Sequence, residues 1–307
     1  MHCTIRSMRI VLAGAFGKLG SDILRALCGT EHEIVAADAV MRIPEDTDQS
    51  RFQAVKIDVT RPDTLKGLCD GADLVITTVG LTGASTKVNN YDIDYRGNLN
   101  LMKAAQAAGV KHFAYISVIN ADKGKGIPMV NSKFMMENEL KKSGLTYVIY
   151  RPTGYFYDIA HVFWPMIKSK SVQLLKMPKD PVANVFDTKD FAAFILKTMC
   201  DENVTYNVGG KETYTYRQIA EMFYRADGVT DGPVKTVPPF MMDILARLPK
   251  IRKSGRTDVI KVSKFTLTND CYGDTEVEGK SFREYIAGRS YAAAIEAEMK
   301  AKEQAGK

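Results

Sequence analysis

Residues 9–20 read Arg9-Ile10-Val11-Leu12-Ala13-Gly14-Ala15-Phe16-Gly17-Lys18-Leu19-Gly20, and the chain continues Ser21-Asp22-Ile23-Leu24-Arg25-Ala26-Leu27-Cys28. A short apolar run stops at a glycine, and polar and apolar residues then recur with a helical period, which predicts a strand, a tight turn and a helix. The three glycines sit at every third position of that turn. Gly14 permits the sharp bend, Gly17 lets backbone approach a pyrophosphate, and Gly20 allows the helix to pack closely on the strand. The helix N-terminus offers N–H groups and positive potential to an anion. Phe16, Lys18 and Leu19 share the turn, where Lys18 either adds charge to the pyrophosphate or faces water.

Working outward, similar apolar runs recur as EIVAAD (33–38), FQAVKID (52–58), DLVITTVG (73–80), HFAYISV (112–118) and YVIYRP (147–152), each followed by a longer mixed segment. Continuous apolar strands alternating with helices predict an α/β protein, a doubly wound parallel sheet of the Rossmann type covered on both faces. Before the fifth run, Ile93, Gly97, Leu101, Ala104, Ala105 and Ala108 fall on one helical face. Ligands of such sheets lie outside the carboxyl ends of the strands. Asp38 ends the second strand, 18 residues after Gly20. Its carboxylate suits a ribose diol and repels a 2′-phosphate, which favours NAD(H) over NADP(H), although Arg42 nearby can neutralise a phosphate. Asp58 and Val59 end the third strand at the adenine edge. Thr78, Val79 and Gly80 end the fourth, and Pro152 and Thr153 the sixth, completing the candidate cofactor contacts.

The predicted organisation is a core over residues 8–153, a smaller C-terminal substrate lobe over 154–290 with one or two elements returning to the core, and a helical tail over 291–307. Of the 307 residues, 45% are hydrophobic and 25% charged, enough apolar material for one large core with a smaller lobe and inconsistent with disorder. The net charge of +6 is spread along the chain, which argues against nucleic acid as a partner. No apolar run approaches the ~20 residues that span a bilayer, and the opening MHCTIRSMRI lacks a cleavable signal pattern. The expected compartment is cytoplasmic. Five cysteines without paired spacing suit reduced thiols, and four scattered histidines predict no metal site.

The residues GAFGKLG, NYDIDYRGNLNLMKAAQAAGVKHFAYIS, SKFMMENELKKSGLTYVIYRPTGYF, FDTKDFAAFI, YNVGGKETYTYRQIAEMF, LTND and SFREYI together resemble the atypical branch of the short-chain dehydrogenase/reductase superfamily, which includes NmrA-like proteins and divinyl chlorophyllide 8-vinyl reductase. The likeness extends from Gly14 to about Ile286. It implies an NAD(P)H-binding sheet, with Ser117 at the serine position after the fifth strand and Lys133 at the lysine that holds the nicotinamide ribose. Without the resemblance, Lys133 reads equally as a surface lysine paired with Glu137, and Ser117 as a hydroxyl satisfied locally. The superfamily's proton-donating tyrosine stands four positions before that lysine, where this chain has Met129, and a thioether transfers no proton. Tyr155, Tyr157 and His161 are the alternative donors, Tyr155 foremost, or else line an apolar wall. The expected function is an NAD(P)H-dependent reductase of a hydrophobic or conjugated small molecule. The alternative is a dinucleotide-binding redox sensor or accessory subunit that does not turn over. Residues 238–248 form an amphipathic helix beside a basic cluster, which reads as a lid over substrate or, less favoured, as a peripheral membrane contact.

Overall fold

The computed structural model describes residues 7–305; His2, Cys3 and the last two residues of the expected tail lie outside the described residues. Strand β1 (Arg9–Ala13) turns into helix α1 (Lys18–Cys28), and β2 (Glu33–Asp38), β3 (Phe52–Lys56) and β4 (Leu74–Thr77) follow. Helix α2 (Asn98–Ala107) leads to β5 (His112–Ile116), and α3 (Pro128–Lys142) to β6 (Thr146–Pro152). Beyond β6 come α4 (Phe156–Lys168), β7 (Val172–Leu175), β8 (Val182–Ala183), α5 (Thr188–Thr198) and β9 (Val204–Gly210). Next are β10 (Tyr214–Thr215), α6 (Tyr216–Ala226), β11 (Val234–Val237), α7 (Phe240–Arg247) and α8 (Pro249–Lys253). The chain finishes with α9 (Thr257–Thr268), β12 (Thr275–Val277), α10 (Phe282–Gly288) and α11 (Ser290–Ala305).

Eight strands form one parallel sheet in the order β12-β9-β6-β5-β4-β1-β2-β3. The strand order reverses between β1 and β4, and the crevice at their carboxyl ends is where such sheets bind ligands. Register explains the two-sided core. Ile10 pairs with Ile34 and Leu74, and these pack with Ile23, Leu24, Phe191 and Ile195 of α1 and α5. Val11 pairs with Val35 and Val75, and these pack with Leu101 of α2 and Met136 and Leu140 of α3. Both faces are buried, so the strands read as unbroken apolar runs.

A second apolar cluster holds the lobe together around Phe156, Phe163, Trp164, Phe223 and Phe282. There β7 and β11 form a separate parallel pair. Capping boxes start α6 (Thr215 with Gln218) and α10 (Ser281 with Glu284). The uniform helical face expected from Ile93 to Ala108 begins instead with a wider π-helical turn over Tyr91–Gly97. Close packing surrounds that turn: a Cβ on Gly97 would lie 2.6 Å from Val59 Cγ2.

Candidate functional site

The turn between β1 and α1 is built around its glycines. Gly14 has φ +78°, in the left-handed region, and its N–H donates to Ala37 O at 2.8 Å. A Cβ on Gly20 would lie 1.9 Å from Gly14 O and 2.8 Å from Gly14 C. Gly17 differs, since its Cβ would meet nothing nearer than Gly14 O at 3.5 Å. The fold therefore demands glycine at 14 and 20, whereas at 17 the open space lies outward. Gly17 caps α1 and no side chain caps the helix start, so the first-turn amides face that space as an anion cradle. The residues fit a dinucleotide pyrophosphate.

Asp38 stands at the carboxyl end of β2 beside this loop. Its Oδ2 accepts from Phe16 N at 2.9 Å and its Oδ1 from Val40 N at 3.1 Å, so the carboxylate fixes the loop while each oxygen keeps a second lone pair. Arg42 is exposed. The Asp58 carboxylate is occupied by Thr60, whose N and Oγ1 donate at 2.9 and 2.6 Å. Val59 is buried and its carbonyl accepts from Asn100 Nδ2 at 3.0 Å. Thr78 Oγ1 donates to Gly14 O at 3.0 Å, tying the end of β4 to the glycine loop. Val79 O accepts from Asn98 Nδ2 at 3.1 Å. Thr153 Oγ1 donates to Asn184 O at 2.8 Å, and Pro152 O accepts from Ile119 N at 3.0 Å. Lys18 lies at the rim, 3.7 Å from Asp22 Oδ2 and 5.5 Å from the Tyr157 ring centroid.

Lys133 is not on the surface. Only 8% exposed, it holds Nζ 3.2 Å from Asp94 Oδ1 and donates to Ile116 O at 3.1 Å. Asp94 is fully buried in the π-helical turn, and its Oδ2 accepts from Leu81 N and Asn90 Nδ2 at 3.1 and 2.9 Å. The pair lies directly under Gly80, where a Cβ would come within 2.8 Å of Asp94 Oδ1 and 3.3 Å of Lys133 Nζ. One turn before Lys133, Met129 lines a cleft with Leu81, Val88, Asp258, Val259 and Val262. The cleft thus runs between the β4–α2 loop and α9 of the lobe, at the carboxyl ends of β4 and β5.

Glu137, the alternative partner for Lys133, is fully buried and belongs to Arg151 instead, accepting from Nε at 2.9 Å and Nη2 at 2.6 Å. Ser117 Oγ donates to Glu137 Oε1 at 2.5 Å, leaving the hydroxyl only acceptor capacity for a further partner. Tyr155 caps α4 with its ring edge-on to Phe186 at 5.6 Å between centroids. Burial, then the Asp158 charge, push its hydroxyl far above the usual tyrosine range. Tyr157 contacts His161, whose Nδ1 lies 2.9 Å from Tyr157 O.

Asp94 and Arg151 escaped the sequence reading, in which Glu137 is only a surface partner for Lys133. The available signal was weak: one acid within a helical run and one arginine among apolar strand residues. Among the described residues, no group of three or more His, Cys, Asp or Glu side chains is placed to hold a metal ion, and no helix is long and apolar enough to cross a membrane.

Comparison with known proteins places this geometry. The chain is 22% identical over 249 residues to the photosystem II assembly factor Ycf39 of Trieres chinensis, covering 78% of this chain and 76% of that protein. It is 23% identical over 216 residues to the chloroplastic divinyl chlorophyllide a 8-vinyl-reductase of Arabidopsis thaliana, covering 64% of this chain and 51% of that protein. Among solved structures, the NADPH-dependent quinone oxidoreductase of Escherichia coli in complex with NADPH superposes with a TM-score of 0.65 at 19% identity, over 94% of this chain and 99% of that one. Residues 14–188, which carry the glycine loop, Asp38, Lys133 and Tyr155, match the NAD(P)H-binding family. The protein belongs to that family.

Proposed function

We propose that the protein is an NAD(P)H-dependent reductase of a hydrophobic, conjugated small molecule, preferring NADH to NADPH. The observation that carries the proposal is the cleft at Met129. Leu81, Val88, Val259 and Val262 form its apolar part beside the polar Thr82, Ser85, Asn89, Asn90 and Asp258, and it lies one helical turn from the Lys133–Asp94 pair beneath Gly80.

Gly14, Phe16, Gly17, Lys18, Leu19 and Gly20 would hold the pyrophosphate, Asp38 the adenosine ribose, and Asp58 and Val59 the adenine. Thr78, Val79, Gly80, Ser117, Lys133, Pro152 and Thr153 would border the nicotinamide half. When bound, the reduced dinucleotide supplies hydride. Lys133 donates to a ribose hydroxyl, held there by Asp94 rather than left free to swing. Ser117, its proton committed to Glu137, accepts from an amide N–H. These groups orient, and α9 forms one side of the cleft.

Proton supply is the restrictive step. Met129 has no proton to give, and Tyr155 is a weaker acid than a free tyrosine. An acceptor whose two-electron reduction leaves a delocalised anion takes its proton from water without a strong positioned acid, and quinones and enones satisfy this. The quinone chemistry in the name of the structural neighbour supports the same class. A second reading, a dinucleotide-binding module without turnover, draws on Met129 and on the assembly-factor role in the name of the Ycf39 relative.

Oxidation of NADH by the purified chain, followed at 340 nm with benzoquinones and naphthoquinones of increasing side-chain length, separates the two readings. Turnover that improves with acceptor hydrophobicity supports the reductase. Tight NADH binding without oxidation of NADH by any acceptor leaves the binding module. In the same assay Lys133→Met/Asp94→Asn, which removes the lysine without stranding a buried carboxylate, is expected to weaken NADH binding about tenfold, one charge-assisted contact. Asp38→Asn keeps an acceptor for Phe16 N but removes the charge. It is expected to lower the NADH-over-NADPH preference about tenfold in a fluorescence titration, and an unchanged ratio would remove Asp38 from the ribose site.

A further inference from the structure

Helix α7 turns five large apolar side chains outward: Phe240, Met241, Ile244 and Leu245 of the helix, and Leu248 at its end, with exposures of 59, 47, 55, 38 and 45%. At helical spacing they fall within about 140° of the circumference. On the opposite side Ala246 is buried, where α7 packs against α9. Single exposed apolar residues are ordinary, but a contiguous stripe marks a contact surface. Beside it stand Arg247, Lys250, Arg252, Lys253 and Arg256, all exposed and none in an ion pair among the described residues. The nearby acids are already engaged, Asp243 by Lys264 at 2.6 Å and Asp258 by Lys261 at 3.7 Å.

We infer that α7 and α8 dock the protein on the surface of an anionic lipid bilayer, the apolar stripe entering the interface and the five cations meeting headgroup phosphates. An apolar helical face edged by Lys and Arg is the pattern that lies in the plane of such an interface. Charge selects this occupant. In a two-fold dimer through the same face, each partner would bring the same five cations to the interface, and like charges oppose that contact. The docking face is continuous with the candidate site, because α9, packed behind α7, lines the cleft with Asp258, Val259 and Val262. A hydrophobic acceptor dissolved in the bilayer would then enter close to where it is reduced. Docking itself does not depend on turnover.

Flotation of the full chain tests this, using vesicles of equimolar phosphatidylglycerol and phosphatidylcholine against vesicles of phosphatidylcholine alone. The chain is expected to float with the anionic vesicles only, and less as salt rises. Lys250→Gln/Arg252→Gln/Lys253→Gln is expected to lower the partition coefficient on the order of 100-fold, and Ile244→Ser/Leu245→Ser by at least about tenfold. These exposed sites lie outside the dinucleotide loop, so NADH affinity serves as the check that the variants fold. Trp164, the single tryptophan, is fully buried, so Phe240→Trp fluorescence quenched by brominated lipid reports insertion of α7. Several outcomes overturn the inference: no flotation with anionic vesicles, equal flotation with neutral ones, variants that float like the parent, or an unquenched Trp at 240. So does a lipid-free dimer that Ile244→Ser/Leu245→Ser dissolves, which would assign the face to a second copy.

Discussion

Gly20→Ala is expected to destabilise the protein by about 3 kcal/mol or more, while Gly17→Ala, three residues earlier, leaves stability near that of the parent and removes dinucleotide binding. The difference follows from what a methyl group meets. At position 20 it would stand 1.9 Å from Gly14 O and 3.0 Å from Ala15 C, backbone atoms that cannot rotate aside. Relief requires lifting α1 off β1, which opens the packing of Leu19, Ile23 and Leu24 against Ile10 and Leu12. A loss of this size lowers the melting temperature by on the order of 10 °C in a chain this long. At position 17 the methyl meets no protein atom nearer than 3.5 Å, so it protrudes into the space proposed for the pyrophosphate. Melting temperature and NADH titration on both variants read the two effects separately. If Gly17→Ala binds NADH like the parent, the loop is only a structural turn.

Arg151→Met is expected to destabilise by about 3–5 kcal/mol, the cost of stranding a buried charge. The Arg151 side chain is 15% exposed and that of Glu137 not at all, and their two contacts at 2.9 and 2.6 Å form a bidentate pair. The other nearby cation is Lys141, 3.8 Å from Oε2. Adding Glu137→Gln removes the stranded charge but keeps an oxygen for Ser117 Oγ, so the double variant is expected to recover about 2 kcal/mol or more. Urea unfolding of the four proteins, with midpoints compared at a common slope, supplies the cycle. If the double variant is no more stable than Arg151→Met, the arginine acts through packing and not through charge. An NADH titration on the double variant also tests whether orienting Ser117 affects the nicotinamide half.

The fold was legible because local rules and the global arrangement agree. Apolar runs bounded by glycine and helical repeats specify β1, β2, β4, β5 and β6, and the glycine spacing specifies how α1 leaves β1. The small strand β12 was not legible: Thr275-Glu276-Val277 carries no apolar run, and it joins the sheet only because β9 offers an edge. The β7–β11 pair likewise depends on packing across the lobe. In the site, the glycines and Asp38 announce themselves by spacing. The partners that set the chemistry do not. Lys133 with Glu137 at i+4 is a good surface pair by sequence, yet the wider turn over Tyr91–Gly97 brings Asp94 to the lysine, and β6 brings Arg151 to the glutamate. Which of two carboxylates a buried cation meets depends on tertiary contact, and a charged residue in a helical run gives no sign of facing inward.

The placement of β12 also bears on synthesis. Seven strands of the sheet are complete once residue 210 has been made, but the eighth is not available until residue 277. Throughout that interval the outer edge of β9 stands with unpaired backbone groups, a template for any other extended chain. At elongation rates of ~5–20 residues per second the exposure lasts several seconds, long compared with hairpin or helix formation. The vulnerable species on the ribosome is therefore a nearly finished sheet waiting for its last three residues, and truncation between β9 and β12 would make that species permanent.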